Sequence, residues 1–92
     1  MAILNEVEIA RNLERVPDWH QREKMIVRSF KFKDFPEAIQ FVDRLAVEAE
    51  SAFHHPDIDI RWNQVHLSLT THDKGGLTIK DFDLAATIDG LI

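Results

Sequence analysis

The sequence contains no cysteine, and this absence excludes three kinds of chemistry. Without thiols the chain has no disulfide framework, no thiol nucleophile and no cysteine ligands for a zinc site. A serine nucleophile also lacks support, because no serine stands between glycines in the way that a nucleophile elbow requires. We therefore expect packing alone to stabilise the fold, and other side chains to carry any catalysis.

Blocks of lysine or arginine and long apolar runs are also missing. The formal net charge is -5, with 11 basic and 16 acidic residues, which disfavours a nucleic-acid or anionic-membrane surface. No apolar run approaches the roughly 20 residues that a membrane span needs, and the first residues lack a basic region followed by a long apolar core. The sequence therefore predicts a cytoplasmic protein that binds a small molecule, with no nucleic-acid or membrane partner.

The composition is typical of a folded globular chain, since 45% of the 92 residues are hydrophobic and 29% are charged. No internal duplication is visible, so the sequence predicts a single domain spanning residues 1–92. A domain of this size buries only just enough apolar surface to fold. We therefore expect self-association, which enlarges the shared core.

A helix and a hairpin are predicted in the first third of the chain. Apolar residues recur at helical spacing before Pro17 and predict a short amphipathic helix: Ile3, Val7, Ala10 and Leu13. Imperfect alternation from Met25 to Phe32 predicts a strand, paired in a hairpin with the segment at Trp19.

The strongest helical pattern follows Asp34. This residue is a suitable N-cap, and Pro36 is tolerated in the first turn of the helix. Apolar residues then repeat three and four positions apart. Pro56 disfavours a helical conformation in the residue before it, so we expect the helix to end near His54 or His55. The two adjacent histidines therefore lie where a helix gives way to a loop.

Two further strands and a last helix complete the pattern. Alternation with a period of two predicts strands over Asp57–Trp62 and Val65–Thr71, joined by a tight turn at Asn63-Gln64. Thr78 and Asp81 have the spacing of a capping box at the start of the final helix. The order of elements, α-β-β-α-β-β-α, predicts an α+β fold in which a four-stranded antiparallel sheet has three helices packed on one face.

Three of the five histidines stand close together in the sequence: His54, His55 and His72. Imidazole has an unperturbed pKa of about 6.5 and can donate or accept a proton near neutral pH, as general acid–base catalysis requires. Any one of these histidines alone is more simply a surface residue on a polar face. The adjacent pair beside Pro56, together with His72 at the exit of a strand, favours a proton-transfer site for the set.

The spacing of these residues resembles the signature of the pterin-4a-carbinolamine dehydratases. After Glu50 come three residues and His54-His55-Pro56, then five residues and the aromatic Trp62, then nine and His72, then eight and Asp81. The resemblance extends from about Trp19 to the C-terminus. By strand periodicity alone, Trp62 continues an apolar face and is expected to pack in the core.

The resemblance implies a dehydratase that removes water from 4a-hydroxytetrahydropterin to give the quinonoid dihydropterin, without a metal or an organic cofactor. It implies that His54, His55 and His72 are catalytic, with His54 and His72 as the candidates for acid and base. It also implies pterin recycling beside an aromatic amino-acid hydroxylase, and assembly into a homodimer or a homotetramer.

The resemblance implies supporting roles for the remaining signature positions and for Trp19, which resembles the family's tryptophan at the start of the first hairpin. His55, Trp19 and Pro56 are expected to bind the pterin, although by pattern alone Trp19 is a hydrophobic anchor and Pro56 ends a helix. Glu50 either polarises a histidine one helical turn away or lies on the solvated side of its helix. Asp81 is expected to support the pocket from its capping position.

Other functions compete with this enzyme. The histidines and Asp57, Asp59 or Asp73 offer nitrogen and oxygen ligands, but their spacing fits no standard zinc motif, so no metal site is predicted. A protein-interaction or transcriptional cofactor module is the main alternative, because animal members of the family also serve as dimerisation cofactors for a homeodomain transcription factor. A dehydratase-like protein acting on another pterin is a third hypothesis.

Overall fold

The computed structural model describes residues 2–92, so Met1 lies outside the described residues. Within that range it has three α-helices and one four-stranded antiparallel sheet. The elements are α1 (Glu6–Leu13), β1 (His20–Arg22), β2 (Met25–Lys31), α2 (Phe35–Ala52), β3 (Asp57–Arg61), β4 (Gln64–Leu69) and α3 (Ile79–Asp89). A short 3-10 turn, His72–Lys74, lies between β4 and α3. The predicted α+β fold and its order of elements are confirmed.

The sheet has the strand order β1-β2-β4-β3, so β1 and β3 form its edges. β3 and β4 are antiparallel and pair from Asp57↔Ser68 to Arg61↔Gln64. The segment that precedes Asp57 and the segment that follows Leu69 therefore leave the sheet at the same end. This register brings the segment of His54 and His55 beside the segment of His72.

The core lies between one face of the sheet and the helices, as the strand and helix periodicities require. Inward side chains of the strands and facing side chains of the helices are buried together: Ile26, Phe30, Val65, Leu67, Leu69, Phe41, Leu45, Phe82 and Ile88. The ring of Phe41 packs 4.8 Å from that of Phe30 and 5.0 Å from that of Phe32, between centroids. Each such buried side chain contributes roughly 1.5–3 kcal/mol, so apolar packing stabilises this cysteine-free chain.

The buried face of α1 differs from the predicted one. Asn5 caps the helix in a capping box with Glu8, so Ile3 precedes the helix and is exposed. Val7 is also exposed, whereas Ile9 is buried. The helix turns Ile9 toward the core, and the predicted face was wrong in this respect.

The hairpin between β3 and β4 turns one residue earlier than the sequence predicts. Its turn is Trp62-Asn63 rather than Asn63-Gln64. Trp62 has a φ of 54° and a side chain that is 70% exposed, so the expectation that it packs in the core was wrong. A residue at positive φ leaves the extended geometry of a strand, so β3 ends at Arg61 and Trp62 does not continue its alternation.

One hydrophobic core is shared by the sheet and the three helices. The interpretation of residues 1–92 as a single domain stays a prediction. From residue 2 to residue 92, no helix combines the length and the apolar character that crossing a bilayer demands.

Candidate functional site

The three predicted catalytic histidines belong to segments that meet at one end of the sheet. His54 and His55 shortly precede Asp57, the first residue of β3, and His72 follows Leu69, the last residue of β4. The antiparallel pairing of the two strands places these segments beside each other. The end of α2 and the start of α3 lie at the same end of the fold, because each connects directly to one of the segments.

The two adjacent histidines lie in different environments just beyond the end of α2. Phe53 follows the last residue of α2 and adopts a left-handed conformation with a φ of 52°. The backbone N–H of His54 donates to the carbonyl of Ala49 at 3.1 Å and closes the helix end. His54 is buried, with 8% of its surface exposed, while His55 is exposed. The helix thus ends slightly earlier than predicted, because the chain leaves it at Phe53.

Asp81 is completely buried and accepts three hydrogen bonds. It completes the predicted capping box of α3, in which the backbone N–H of Thr78 donates to its Oδ2 at 2.9 Å. The hydroxyl of Thr71 donates to the same oxygen at 2.9 Å, and Nε2 of His54 lies 2.5 Å from Oδ1. An ionised carboxylate can accept all three bonds at once, because it has no proton of its own to place.

The contact with Asp81 assigns the tautomer of His54. Since an ionised carboxylate can only accept, Nε2 of His54 carries the proton in this contact. Nδ1 is then the ring nitrogen that can gain or lose a proton. A histidine oriented in this way by a carboxylate is suited to general acid–base chemistry.

Glu50 pairs with His55, not with the residue one helical turn away. Its Oε1 lies 2.7 Å from Nε2 of His55, and the two side chains are 78% and 64% exposed. The spacing of four residues would have selected His54, but the helix has already ended and that side chain faces inward. Such an exposed contact adds little stability, but it fixes the orientation of the His55 ring in this structure.

His72 is exposed at the first position of the 3-10 turn, which Gly75 closes with a φ of 75°. It lines an open cavity of about 640 Å³ together with Met25 and the turn between β1 and β2. His54 lines a different cavity, of about 340 Å³, between α2 and α3. Thr71, which precedes His72 and bonds to the carboxylate that holds His54, links the two histidines.

Trp19 lies apart from these residues. Its side chain is 2% exposed, and its Nε1 donates to Oδ1 of Asp89 at 2.8 Å near the end of α3. The same carboxylate binds Arg28 at 2.5 Å. Asp81 stands eight residues earlier in α3, about 12 Å away at the rise of an α-helix. The structure therefore places Trp19 in the core, while the half-buried Pro56 directly follows the two histidines.

Two residues of the site were not identified from the sequence. Thr71 was assigned to a strand, but β4 ends at Leu69, and Thr71 instead makes an isolated bridge with Gly76 and a side-chain bond to Asp81. Lys80 donates from Nζ to the carbonyl of Phe53 at 3.3 Å. For Thr71 a signal was present, because a threonine among inward-facing apolar positions indicates a buried polar contact. The contact of Lys80 has no signal in the local sequence.

Across residues 2–92, no three histidine, aspartate or glutamate side chains are grouped so as to hold a metal ion.

Comparison with protein families and with curated sequences gives one family. The family model described as Pterin 4 alpha carbinolamine dehydratase matches residues 2–91. A protein of Chloroflexus aurantiacus, provisionally named pterin-4-alpha-carbinolamine dehydratase, is 56% identical over 92 residues and covers 100% of this chain and 99% of its own. A protein of the same provisional name from Acidobacterium capsulatum is 50% identical and covers 100% of both chains.

Comparison with solved structures gives the same fold. A structure described as a transcriptional coactivator/pterin dehydratase from Brucella melitensis has a TM-score of 0.92 and 34% identity, and covers 97% of each chain. A pterin dehydratase-like protein described as a RuBisCO assembly factor in the alpha-carboxysome has a TM-score of 0.65 and 24% identity, over 79% of this chain and 84% of its own. The second likeness concerns the fold alone.

Proposed function

The chain belongs to the pterin-4a-carbinolamine dehydratase family, and from this we propose that it removes water from a 4a-hydroxytetrahydropterin to give a quinonoid dihydropterin. The observation that carries the proposal is the buried contact between His54 and Asp81, tied by Thr71 to the segment of His72. Burying an ionisable pair costs desolvation energy and is weak evidence for a stabilising role. Its position among the signature histidines therefore supports a role in chemistry.

The proposed reaction moves two protons. The hydroxyl group on carbon 4a accepts a proton, the carbon–oxygen bond breaks, and water leaves. The neighbouring ring nitrogen loses its proton, and that electron pair forms the new double bond to carbon 4a. One acid and one base are sufficient for this exchange, so no cofactor enters the proposal.

We assign His54 and His72 as the acid–base pair. Asp81 keeps the proton of His54 on Nε2 and leaves Nδ1 to exchange a proton with the substrate. His72 is exposed, so it can exchange protons with water between turnovers. His55, with its ring oriented by Glu50, binds and positions the pterin near the pair.

Pro56 and Trp19 are the other predicted pterin contacts, and both stay predictions. Pro56 follows His55 and shapes the loop that leads into β3. Trp19 is buried beside the last turn of α3. It can touch a pterin only if the ligand extends along that helix, away from Asp81.

The direct test is the decay of a 4a-hydroxytetrahydropterin generated in situ and followed by ultraviolet absorbance. The native chain is compared with His72→Ala and with His66→Ala as a matched control. His66 is a histidine of β4 whose Nδ1 lies 2.6 Å from Oγ of Ser29, away from the proposed site. Acceleration by the native chain and the control, lost in His72→Ala, supports the proposal. Decay no faster than the spontaneous rate with the native chain contradicts it.

The cellular setting is a further part of the proposal. We place the protein in the cytoplasm, in pterin recycling beside an aromatic amino-acid hydroxylase that supplies its substrate. We also propose a homodimer or homotetramer, since the edge strands β1 and β3 carry backbone groups that pairing would satisfy. Light scattering at micromolar concentration tests the assembly, and a monomer would contradict it.

A protein-interaction module is the second candidate. It is favoured by the relative from Brucella melitensis, 34% identical, whose description names both a transcriptional coactivator and a pterin dehydratase. On this hypothesis the scaffold binds a partner protein whether or not it turns over a pterin. The module is favoured over the enzyme if neither the native chain nor His72→Ala turns over a pterin while both still bind the partner protein.

A further inference from the structure

Phe53 holds a backbone conformation that its side chain disfavours. Its φ is 52°, in the left-handed region, where the Cβ of an L-residue crowds the following carbonyl oxygen. Glycine, and less often asparagine, usually occupies this position after a helix. A bulky aromatic residue at positive φ is a true outlier, and such outliers concentrate at functional sites.

Burial does not offset this strain. The side chain of Phe53 is 81% exposed, so the ring is neither packed in the core nor removed from water. Its backbone is nevertheless held firmly: the N–H donates to the carbonyl of Glu50 at 3.1 Å, and the carbonyl accepts from Nζ of Lys80 at 3.3 Å. The fold thus fixes an aromatic ring in water at a cost in stability.

Phe53 lies at the end of the molecule that carries the proposed acid–base residues. Phe53 immediately precedes His54 and His55, and neighbouring Cα atoms are about 3.8 Å apart. Trp62 is the natural comparison, because it also has a positive φ, of 54°, and is 70% exposed. It lies at the other end of β3, whose five residues of strand extend over about 16 Å.

We propose that Phe53 is a substrate-binding residue whose ring stacks on the flat bicyclic ring of the pterin and contributes to affinity. This inference rests on the proposed function. An exposed aromatic face beside polar, proton-exchanging groups matches a planar heterocycle that carries polar edges. The free energy of stacking on the pterin then offsets, in the complex, the free-energy cost of the left-handed conformation of Phe53.

Three variants separate binding from folding. Phe53→Asn removes the ring and relieves the left-handed strain, Phe53→Tyr keeps the ring, and Trp62→Asn makes the same change at the remote turn. We expect both asparagine variants to raise the melting temperature, by about 2–6 °C. We expect only Phe53→Asn to raise KM, by about two- to tenfold with kcat nearly unchanged, while Phe53→Tyr retains the native KM.

Binding measured without turnover distinguishes this inference from the proposed function. Calorimetric titration with 7,8-dihydrobiopterin should show weaker binding to Phe53→Asn and native binding to the other two variants. Binding unchanged in Phe53→Asn overturns the stacking role and leaves the dehydratase proposal intact. A smaller assembly by light scattering for Phe53→Asn, with pterin affinity unchanged per chain, also overturns it, because the ring would then lie in a subunit interface. No binding and no turnover by the native chain overturns both.

Discussion

Thr71 and Asp81 meet in the interior, where the hydroxyl of Thr71 donates to Oδ2 of Asp81 at 2.9 Å. The same hydroxyl lies 2.8 Å from Oγ of Thr78, the N-cap of α3. The end of the sheet and the start of the last helix are therefore joined through one carboxylate. Because His72 directly follows Thr71, this bond also fixes the backbone position at which that histidine begins the 3-10 turn.

Replacing Thr71 tests this link. Thr71→Val keeps the shape of the side chain but removes the donor, so we expect the free energy of unfolding to fall by about 1–2 kcal/mol. Thr71→Ser restores the hydroxyl and should recover most of that loss. Urea denaturation of both variants provides the measurement, and equal stability of the two would show that the hydroxyl makes no net contribution.

Asp81→Asn should impair both folding and catalysis. The amide has one acceptor oxygen where the carboxylate has two, so it cannot satisfy the donors from Thr71, Thr78 and His54 together. We expect the free energy of unfolding to fall by about 2–3 kcal/mol and turnover to fall by about 100-fold. Asp43→Asn is the control, since that carboxylate is exposed on α2 and lines neither histidine cavity. A fully active Asp81→Asn would remove the carboxylate from the proposed mechanism.

Glu50→Gln should leave stability almost unchanged. The pair with His55 is largely exposed, so we expect a change below about 0.5 kcal/mol in the free energy of unfolding. If Glu50 orients the ring of His55 for the pterin, KM should rise while the melting temperature stays constant. A matching measurement on Asp43→Asn, an exposed acidic residue of α2 that lines neither histidine cavity, gives the baseline for charge removal alone. Equal KM values for the two variants would argue against the orienting role.

Trp19→Phe should destabilise the fold by about 1 kcal/mol. The phenyl ring retains an apolar side chain in the core but cannot donate to Asp89. Arg28 still binds that carboxylate, so the acid does not become unpaired. Thermal unfolding provides the stability, and the KM of the same variant tests the predicted pterin contact. A higher KM would support contact with the ligand, whereas an unchanged KM would limit Trp19 to packing.

The regular elements could be predicted because their signals are local. Alternation identified the strands now described as β2, β3 and β4, and Asp34 marked the start of α2 correctly. The failures occur where the backbone takes a conformation that the residue type does not favour. Neither Trp62 nor Phe53 is a residue expected at positive φ, so the turn and the helix end were displaced.

Most members of the candidate site were predictable, but Thr71, Lys80 and the bonds between the members were not. Spacing along the chain identified His54, His72 and Asp81, and it gave the capping role of the acid. The bond from His54 to Asp81 joins residues 27 positions apart, and it exists only because two helices and a strand end meet. Likewise, Glu50 was matched to the wrong histidine, since helical spacing does not apply beyond the end of α2.

Because of the capping box of α3, hydrogen exchange at the amide of Thr78 can report whether the Asp81–His54 contact is intact. The N–H of Thr78 is buried and donates to the carboxylate that holds His54, so its hydrogen should exchange with solvent only when that first turn opens. Opening would release the histidine and unravel the helix start in one cooperative event. The exchange rate of one backbone proton therefore reports what fraction of molecules, at any moment, holds His54 against Asp81.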